Sequence, residues 1–454
     1  MNMRLGISIK KMAEPKRLLN ARSSDVGAQM RNVLILLMVA GAGWRVAGQA
    51  AGQPLAGGEP PRRIIDVDAA RKAKQSYGKG FFSHLSFPLK AVGSRMERGL
   101  VRVETENLLQ RFADWQAQLA AKGIEPGVGG MGEGAGFALG TRLTRKNLWG
   151  RGAIAGLTVR ESFKFYQFYG MDLEVPLHAR GLFFRAETNY RVRPQEDFYG
   201  LGIDAPKSAR TNYNLQDRTV AVGLGARFTK RIEGLLSFGY TSARVFGGSN
   251  PRYQSFGAAQ ESVPGAHGGR YVFYRAAVAM DGRDSTWDPK RGALLRLAAG
   301  SYDSVNGQDF GWFNYRFEAQ AFRPLGDTDH VLAFRLLGDF NDEKGGSQVP
   351  FFVLGRLGGR YSMRGYAVNR FTDLNGMVAT VEYRYAIWPK YMDAIAFFDA
   401  GQVAHRTGEF GWSRARTDWG IGFKAKTLRS ALLRFDVGFG PEGPRYRFTF
   451  SPEF

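Results

Sequence analysis

Five histidines, His84, His178, His267, His330 and His405, are the side chains best suited to acid–base or metal chemistry, and they are scattered along the chain. None stands at a spacing that would bring two imidazoles onto one metal ion. No Gly-x-Ser-x-Gly elbow presents a nucleophilic serine, so the clearest mark of an esterase or lipase is missing. A Ser/His pair assembled from distant segments, as a barrel phospholipase would use, is the enzymatic alternative. The expectation is a protein that is not an enzyme and holds no cofactor or metal. Cysteine is absent, which suits an oxidising compartment and a reducing one equally. The chemistry that remains is ionic. Lys and Arg number 63 against 41 Asp and Glu, a net charge of +22, which would suit nucleic acid, an anionic membrane surface or a cationic pore. The basic residues recur singly, at alternate positions within apolar and aromatic stretches, rather than in one run, so nucleic acid is not expected as a partner.

That alternation identifies the elements that carry the charges. From about residue 131 onward the apolar pattern has period two, as in strands with two chemically different faces. In Trp312–Phe322, Asn314, Arg316, Glu318 and Gln320 share one face, opposite Phe313, Tyr315, Phe317, Ala319 and Ala321. Phe184–Arg193 and Leu432–Phe439 alternate in the same way, the latter with Arg434 and Asp436 on its polar face. Thr380, Glu382 and Arg384 share a face, and Phe397 shares one with Asp399. A soluble sandwich also alternates. Two features point to a membrane instead: the segments have the length of a tilted bilayer-crossing strand, and the polar face holds arginine and carboxylate together, as a hydrated lumen would. Short links such as Trp388–Lys390 and Lys426–Ser430 alternate with long ones such as Val245–Gly268 and Asn341–Asp373. That is the pattern of periplasmic turns and extracellular loops. The fold class expected is all-β, a transmembrane antiparallel β-barrel over 131–454. About fifteen strands can be counted, and an even number, sixteen, is expected.

Ahead of the barrel, Arg31 and Asn32 precede the apolar run Val33–Ala40, with Gly48-Gln49-Ala50 as a cleavage site. Residues 1–50 thus read as an N-terminal extension and a secretory signal peptide, the run being too short to span a bilayer as a helix. Residues 51–130 read as coil and helix, with Leu108, Phe112, Trp115 and Leu119 on one stripe and Gly123 and Pro126 as stop signals. This segment would pack on the periplasmic rim or plug the lumen.

The last third contains Gly358-Gly359-Arg360-Tyr361-Ser362-Met363-Arg364-Gly365-Tyr366, then Arg370-Phe371 and Asp373, then Val381-Glu382-Tyr383-Arg384, then Phe397-Phe398-Asp399-Ala400-Gly401. This ordered set resembles the C-terminal barrel of the bacterial surface antigen, BamA/TamA-like superfamily. Two further segments fit that family: Asp281-Gly282-Arg283-Asp284 with Pro289-Lys290-Arg291-Gly292, and Glu196–Gly202. The chain ends in Tyr446, Phe448, Phe450 and Phe454, alternating with polar residues. This is similar to the signal that hands outer-membrane barrels to their assembly machinery. Residues 51–130 depart from the family pattern: they do not read as the small βααββ polypeptide-transport units that its secreting and folding members usually carry.

The resemblance implies that Arg364 sits on a loop folded back into the lumen, facing Glu382, Phe397 and Asp399. A guanidinium suits that place because it is always charged and binds two carboxylate oxygens at once. Gly365 would allow the tight turn, and Tyr366 would pack behind it. Such a pair is either a lock that only stabilises the barrel or a switch whose release frees the loop and loosens the seam between first and last strands. The function implied is assistance, without covalent chemistry, to insertion or translocation of protein or lipid at the bacterial outer membrane. The partners implied are outer-membrane lipids and lipopolysaccharide, the barrel-assembly machinery during biogenesis, and a client protein. The alternatives are an anion-favouring pore, passive or gated, and a structural surface-antigen barrel.

Overall fold

The structure, a computed structural model, describes residues 118–454 apart from 178–180, 258–261, 306, 308, 327–328, 389–390, 427–430 and 451–454. The expected signal peptide, the stripe residues Leu108, Phe112 and Trp115, and Phe454 lie outside the described residues. Leu119 falls in a helical turn over 118–121.

The strands are β1 (Ile124–Gly130), β2 (Phe137–Leu148), β3 (Ala153–Ser162), β4 (Gln167–Pro176), β5 (Leu182–Phe198), β6 (Thr211–Arg227), β7 (Ile232–Gly247), β8 (Gln254–Ser255), β9 (Gly269–Asp281) and β10 (Gly292–Ser304). They continue as β11 (Gly311–Pro324), β12 (His330–Glu343), β13 (Gly355–Leu357), β14 (Phe371–Asp373), β15 (Asn375–Trp388), β16 (Met392–Ala404), β17 (Arg416–Lys426), β18 (Ala431–Gly440) and β19 (Gly443–Phe450). All but the short β8, β13 and β14 pair antiparallel with the next long strand in chain order, making the sixteen strands expected. The sheet rolls up until β19 lies beside β1. Among the described residues no ladder joins those two strands.

The barrel begins earlier than residue 131. Its first strand, Ile124–Gly130, has the sequence IEPGVGG, in which Pro and Gly outnumber the residues that could alternate, so a test for period two passes over it. Pro126 lies inside this strand and ends nothing. The helical turn stops instead at Gly123, whose φ is +79°.

Elsewhere the alternation is realised in space. Asn314 and Gln320 are buried while Phe313 and Tyr315 on the other face are exposed, and Thr380, Glu382 and Arg384 are buried while Val381, Tyr383 and Tyr385 are exposed. The exposed face is the apolar one, the arrangement of a barrel whose outside meets lipid. No helix among the described residues is long and apolar enough to cross a membrane.

Connections 149–152, 177–181, 228–231 and 325–329 are short and lie at one end of the barrel; 199–210, 248–268, 344–374 and 405–415 are long and lie at the other. The loop 344–374 turns inward, where β13 and β14 pair with each other. Phe351 stacks on Phe256 at 5.0 Å and meets Phe198 at 5.2 Å, tying the loop beneath its neighbours. Deeper, Met363, Tyr366 and Phe371 form an apolar cluster with Ile203, Val378 and Val403. Strand length varies round the wall: β5, β6 and β7 have 17, 17 and 16 residues, whereas β1 and β19 have 7 and 8.

Candidate functional site

Inward parity on neighbouring strands sets six charges together. β15 presents Glu382 and Arg384, β16 presents Asp399, β18 presents Arg434 and Asp436, and the loop delivers Arg364. Glu382 and Asp399 are 0% exposed and Arg364 is 3% exposed. Arg364 donates from Nε to Asp399 Oδ2 at 2.9 Å and from Nη2 to Oδ1 at 2.7 Å, a two-pronged contact. Its backbone N–H donates to the same carboxylate at 3.2 Å, and its Nη1 donates to Glu382. Thr380 Oγ1 donates to Asp399 Oδ1 at 2.8 Å. Glu382 also receives Arg434 Nη2 at 2.6 Å and Arg384 Nε at 2.9 Å, and Arg434 Nε reaches Asp436 at 2.7 Å. Three arginines thus meet three carboxylates, with the Arg364 guanidinium 3.5 Å over the Phe397 ring. Buried charges are tolerated in this way because each is paired and hydrogen-bonded.

The structure therefore brings Arg364, Glu382, Phe397 and Asp399 together as the resemblance implied, and packs Tyr366 behind them, edge-on to Phe371 at 5.0 Å. Gly365 has another reason for being glycine. Its φ is not in the left-handed region; a Cβ there would come within 2.6 Å of the Asp418 side chain, and one on Gly438 within 2.7 Å of the Arg364 carbonyl. Glycine lets the loop press against β17 and β18. The sharp turn falls at Gly358 and Gly359, with φ of +106° and +109°. Arg384 and Arg434 had been placed on inward faces by alternation, but only strand register shows that they converge on Glu382.

The loop is also tied to the strands at the seam, which sequence reading had missed. From β19, Arg447 Nε donates to the Arg364 carbonyl at 2.8 Å, and its Nη2 donates to the Tyr366 carbonyl. Arg370 Nε donates to Glu442 in the β18–β19 turn at 2.6 Å. In the β1–β2 connection Glu133 accepts the Tyr361 N–H at 2.8 Å. Burial pushes the Glu133 carboxyl above the usual range, against the pull of Arg447 and Arg360.

Tyr446 and Phe448 face outward on β19 and are well exposed; Phe450 ends that strand. At the opposite end of the lumen the connection 282–291 crosses to the far wall. There Asp288 meets Lys424 and Lys426 of β17, and Lys426 also reaches Asp393 of β16 at 2.6 Å. Burial alone would raise the Asp288 carboxyl, but the two ammonium groups hold it well below the usual carboxylate range. Among the described residues no cluster of His, Asp or Glu could hold a metal ion.

Comparison with known proteins agrees with this architecture. The barrel superposes on BamA from Haemophilus ducreyi lacking POTRA domains 1-3, with a TM-score of 0.54 and 14% identity over 74% of this chain and 76% of that one. It also matches CdiB from Acinetobacter baumannii, with a TM-score of 0.46 and 14% identity over 72% of this chain and 58% of that one. No curated protein matches by sequence. The model of the Omp85 superfamily domain matches residues 147–452, about two thirds of the sequence. Sixteen strands, an inward loop and an arginine held by lumen carboxylates are thus accompanied by a match over nearly the whole barrel, and the chain belongs to the Omp85 superfamily.

Proposed function

We propose that this barrel assists insertion or translocation of protein or lipid at the bacterial outer membrane, by a locked loop and a weak seam, with no covalent step. The short-turn end faces the periplasm and the long-loop end the exterior. Outer-membrane lipids, the assembly machinery and a client chain are its partners. The observation that carries the reading is the seam. The Thr144 N–H donates to the Gly123 carbonyl at 2.6 Å, which sets the phase of the β1–β2 ladder. Odd residues of β1 bond to β2 and even residues point at β19. Pro126 therefore removes a donor from the edge where closure would need one, and glycines at 127, 129 and 130 weaken the strand further. The wall is shortest here, so the bilayer beside it would be thinnest. Arg447 and Arg370 tie the loop to the β18–β19 side of the seam and Glu133 ties it to the β1–β2 side, so a loop loosened at Arg364 moves with the seam.

The test is single-channel conductance in planar bilayers for the wild type, Arg364→Ala and a variant lacking 344–374. Small, flickering currents that grow when the loop is freed or removed support the proposal. A large steady conductance unchanged by either variant would mean an open pore and would overturn it.

A further inference from the structure

The lock pairs three carboxylates with three arginines and leaves a fourth carboxyl beside them with none. Asp418 of β17 stands directly opposite Asp399 of β16 in strand register. It is 2% exposed, while Trp419, the next residue, points outward and is 56% exposed. Parity therefore turns both carboxyls into the lumen, under the loop, where Gly365 presses against the Asp418 side chain. The Gly365 N–H approaches Asp418, yet neither of its carboxyl oxygens receives a hydrogen bond.

Every charged group around it is committed elsewhere. From the loop, Arg364 gives Nε and Nη2 to Asp399 and Nη1 to Glu382. From β19, Arg447 gives Nε and Nη2 to the carbonyls of Arg364 and Tyr366. On β17 itself, Arg416 binds Asp204 of the 199–210 connection at 2.6 Å. Tyr366 turns its hydroxyl to the Thr417 carbonyl at 3.3 Å. On β18 the inward positions at this level are Gly438 and Gly440, and the first charged one is Asp436, held by Arg434 at 2.7 Å. Asp399 thus receives four donors, from Arg364 three times and from Thr380 once, and Asp418 receives none.

A carboxylate buried without donors is costly, and two carboxylates side by side do not both stay ionised. Binding one proton removes the surplus charge and supplies the hydroxyl donor that the site lacks. Asp399, fully supplied with donors, keeps its charge. We infer that Asp418 is a proton-binding site beneath the loop: as a neutral acid turned toward Asp399 it lets the loop seat, and its ionisation loosens the lock. The proton then passes to lumen water, and two adjacent anions compete for Arg364. In the unfolded chain Asp418 would ionise in the ordinary aspartate range, so folding takes up a proton and stability falls as pH rises above that range. The proton site stands on burial and register, whereas its effect on the loop rests on the lock proposed above, and the two are measured separately.

Infrared spectroscopy of the refolded full chain, carrying carboxyl-labelled aspartate, tests the site. At neutral pH the wild type should show the carbonyl band of a neutral aspartic acid, and D418N should lose it. No such band in the wild type, or one that persists in D418N, would overturn the site. Heat-modifiable gel migration checks folding; if D418N does not fold, D418A should lose the same band. In urea, the ratio of the wild type's unfolding constant to that of D418N should rise about tenfold per pH unit above the ordinary aspartate range, until the folded protein ionises. A ratio that is flat or falls with rising pH would mean that Asp418 is charged throughout, and the site would be lost. In planar bilayers, alkaline pH should raise the flicker of the wild type severalfold and leave D418N unchanged. An equal response of both would overturn the effect on the loop while leaving the infrared result to decide the site.

Discussion

The two halves of the lumen use the same residues to different effect. Glu382 of β15, Asp399 of β16 and Arg434 of β18, with Arg364 of the loop, have side chains no more than 4% exposed, because loop 344–374 lies over the strand residues. On β10, β11 and β12 the pairs are as short, Arg296–Glu318 at 2.9 Å and Arg316–Asp339 at 3.0 Å, yet those arginine side chains are 51% and 54% exposed. Alternation places arginine and carboxylate inward in both. What separates them is the cover. A wet pair is screened and contributes little, whereas a dry one, once formed, is costly to break. The loop thus converts ordinary barrel charges into a lock.

Arg364→Ala should have the largest effect, a loss of about 3–5 kcal/mol in urea unfolding of the refolded barrel, because Glu382 and Asp399 stay buried with fewer partners. A loss under about 1 kcal/mol would mean the covered half is as wet as the other and would erase the contrast. Next is Asp288→Asn at the lumen floor, at about 1.5–3 kcal/mol for charged hydrogen bonds. Its carboxyl is held low by Lys424 and Lys426 in the folded state. Its contribution is therefore present above the ordinary aspartate value and is lost as pH falls toward the lower folded value. The stability gap between wild type and variant should be full at neutral pH and shrink in strong acid; a gap that widens on acidification would contradict the pairing. Pro126→Val, which restores a donor and strand propensity at the seam, should stabilise by up to about 1 kcal/mol and damp current flicker, showing whether rigidity beside the lock is limited by β1. Arg296→Gln should come last, at about 0.2–1 kcal/mol, and should lose even that in high salt.

Much of this was legible in the sequence. Period two fixed which way Glu382, Asp399, Arg434 and Asp436 point, since a strand face follows from parity alone. The ordered motif around Arg364 supplied the loop. What escaped depends on register or on approach across the fold. Arg434 lies 52 residues from Glu382 and meets it only because β15 to β18 stand side by side. Asp288 reaches β17 from a connection on another part of the wall, and Arg447 binds carbonyls, which carry no residue signature. Gly365 was recognised as necessary for the wrong reason: a sequence does not distinguish a glycine chosen for φ from one chosen for contact. β1 escaped because its own residues are poor strand formers.

That poverty has a further consequence. An exposed sheet edge is a template on which any passing strand, including another copy of the same chain, can grow. The edge of β1 has lost its donor at Pro126 and offers glycine instead of gripping side chains at three of its four following positions. A barrel that opened at this seam would shed whatever docked there more readily than it would polymerise through it.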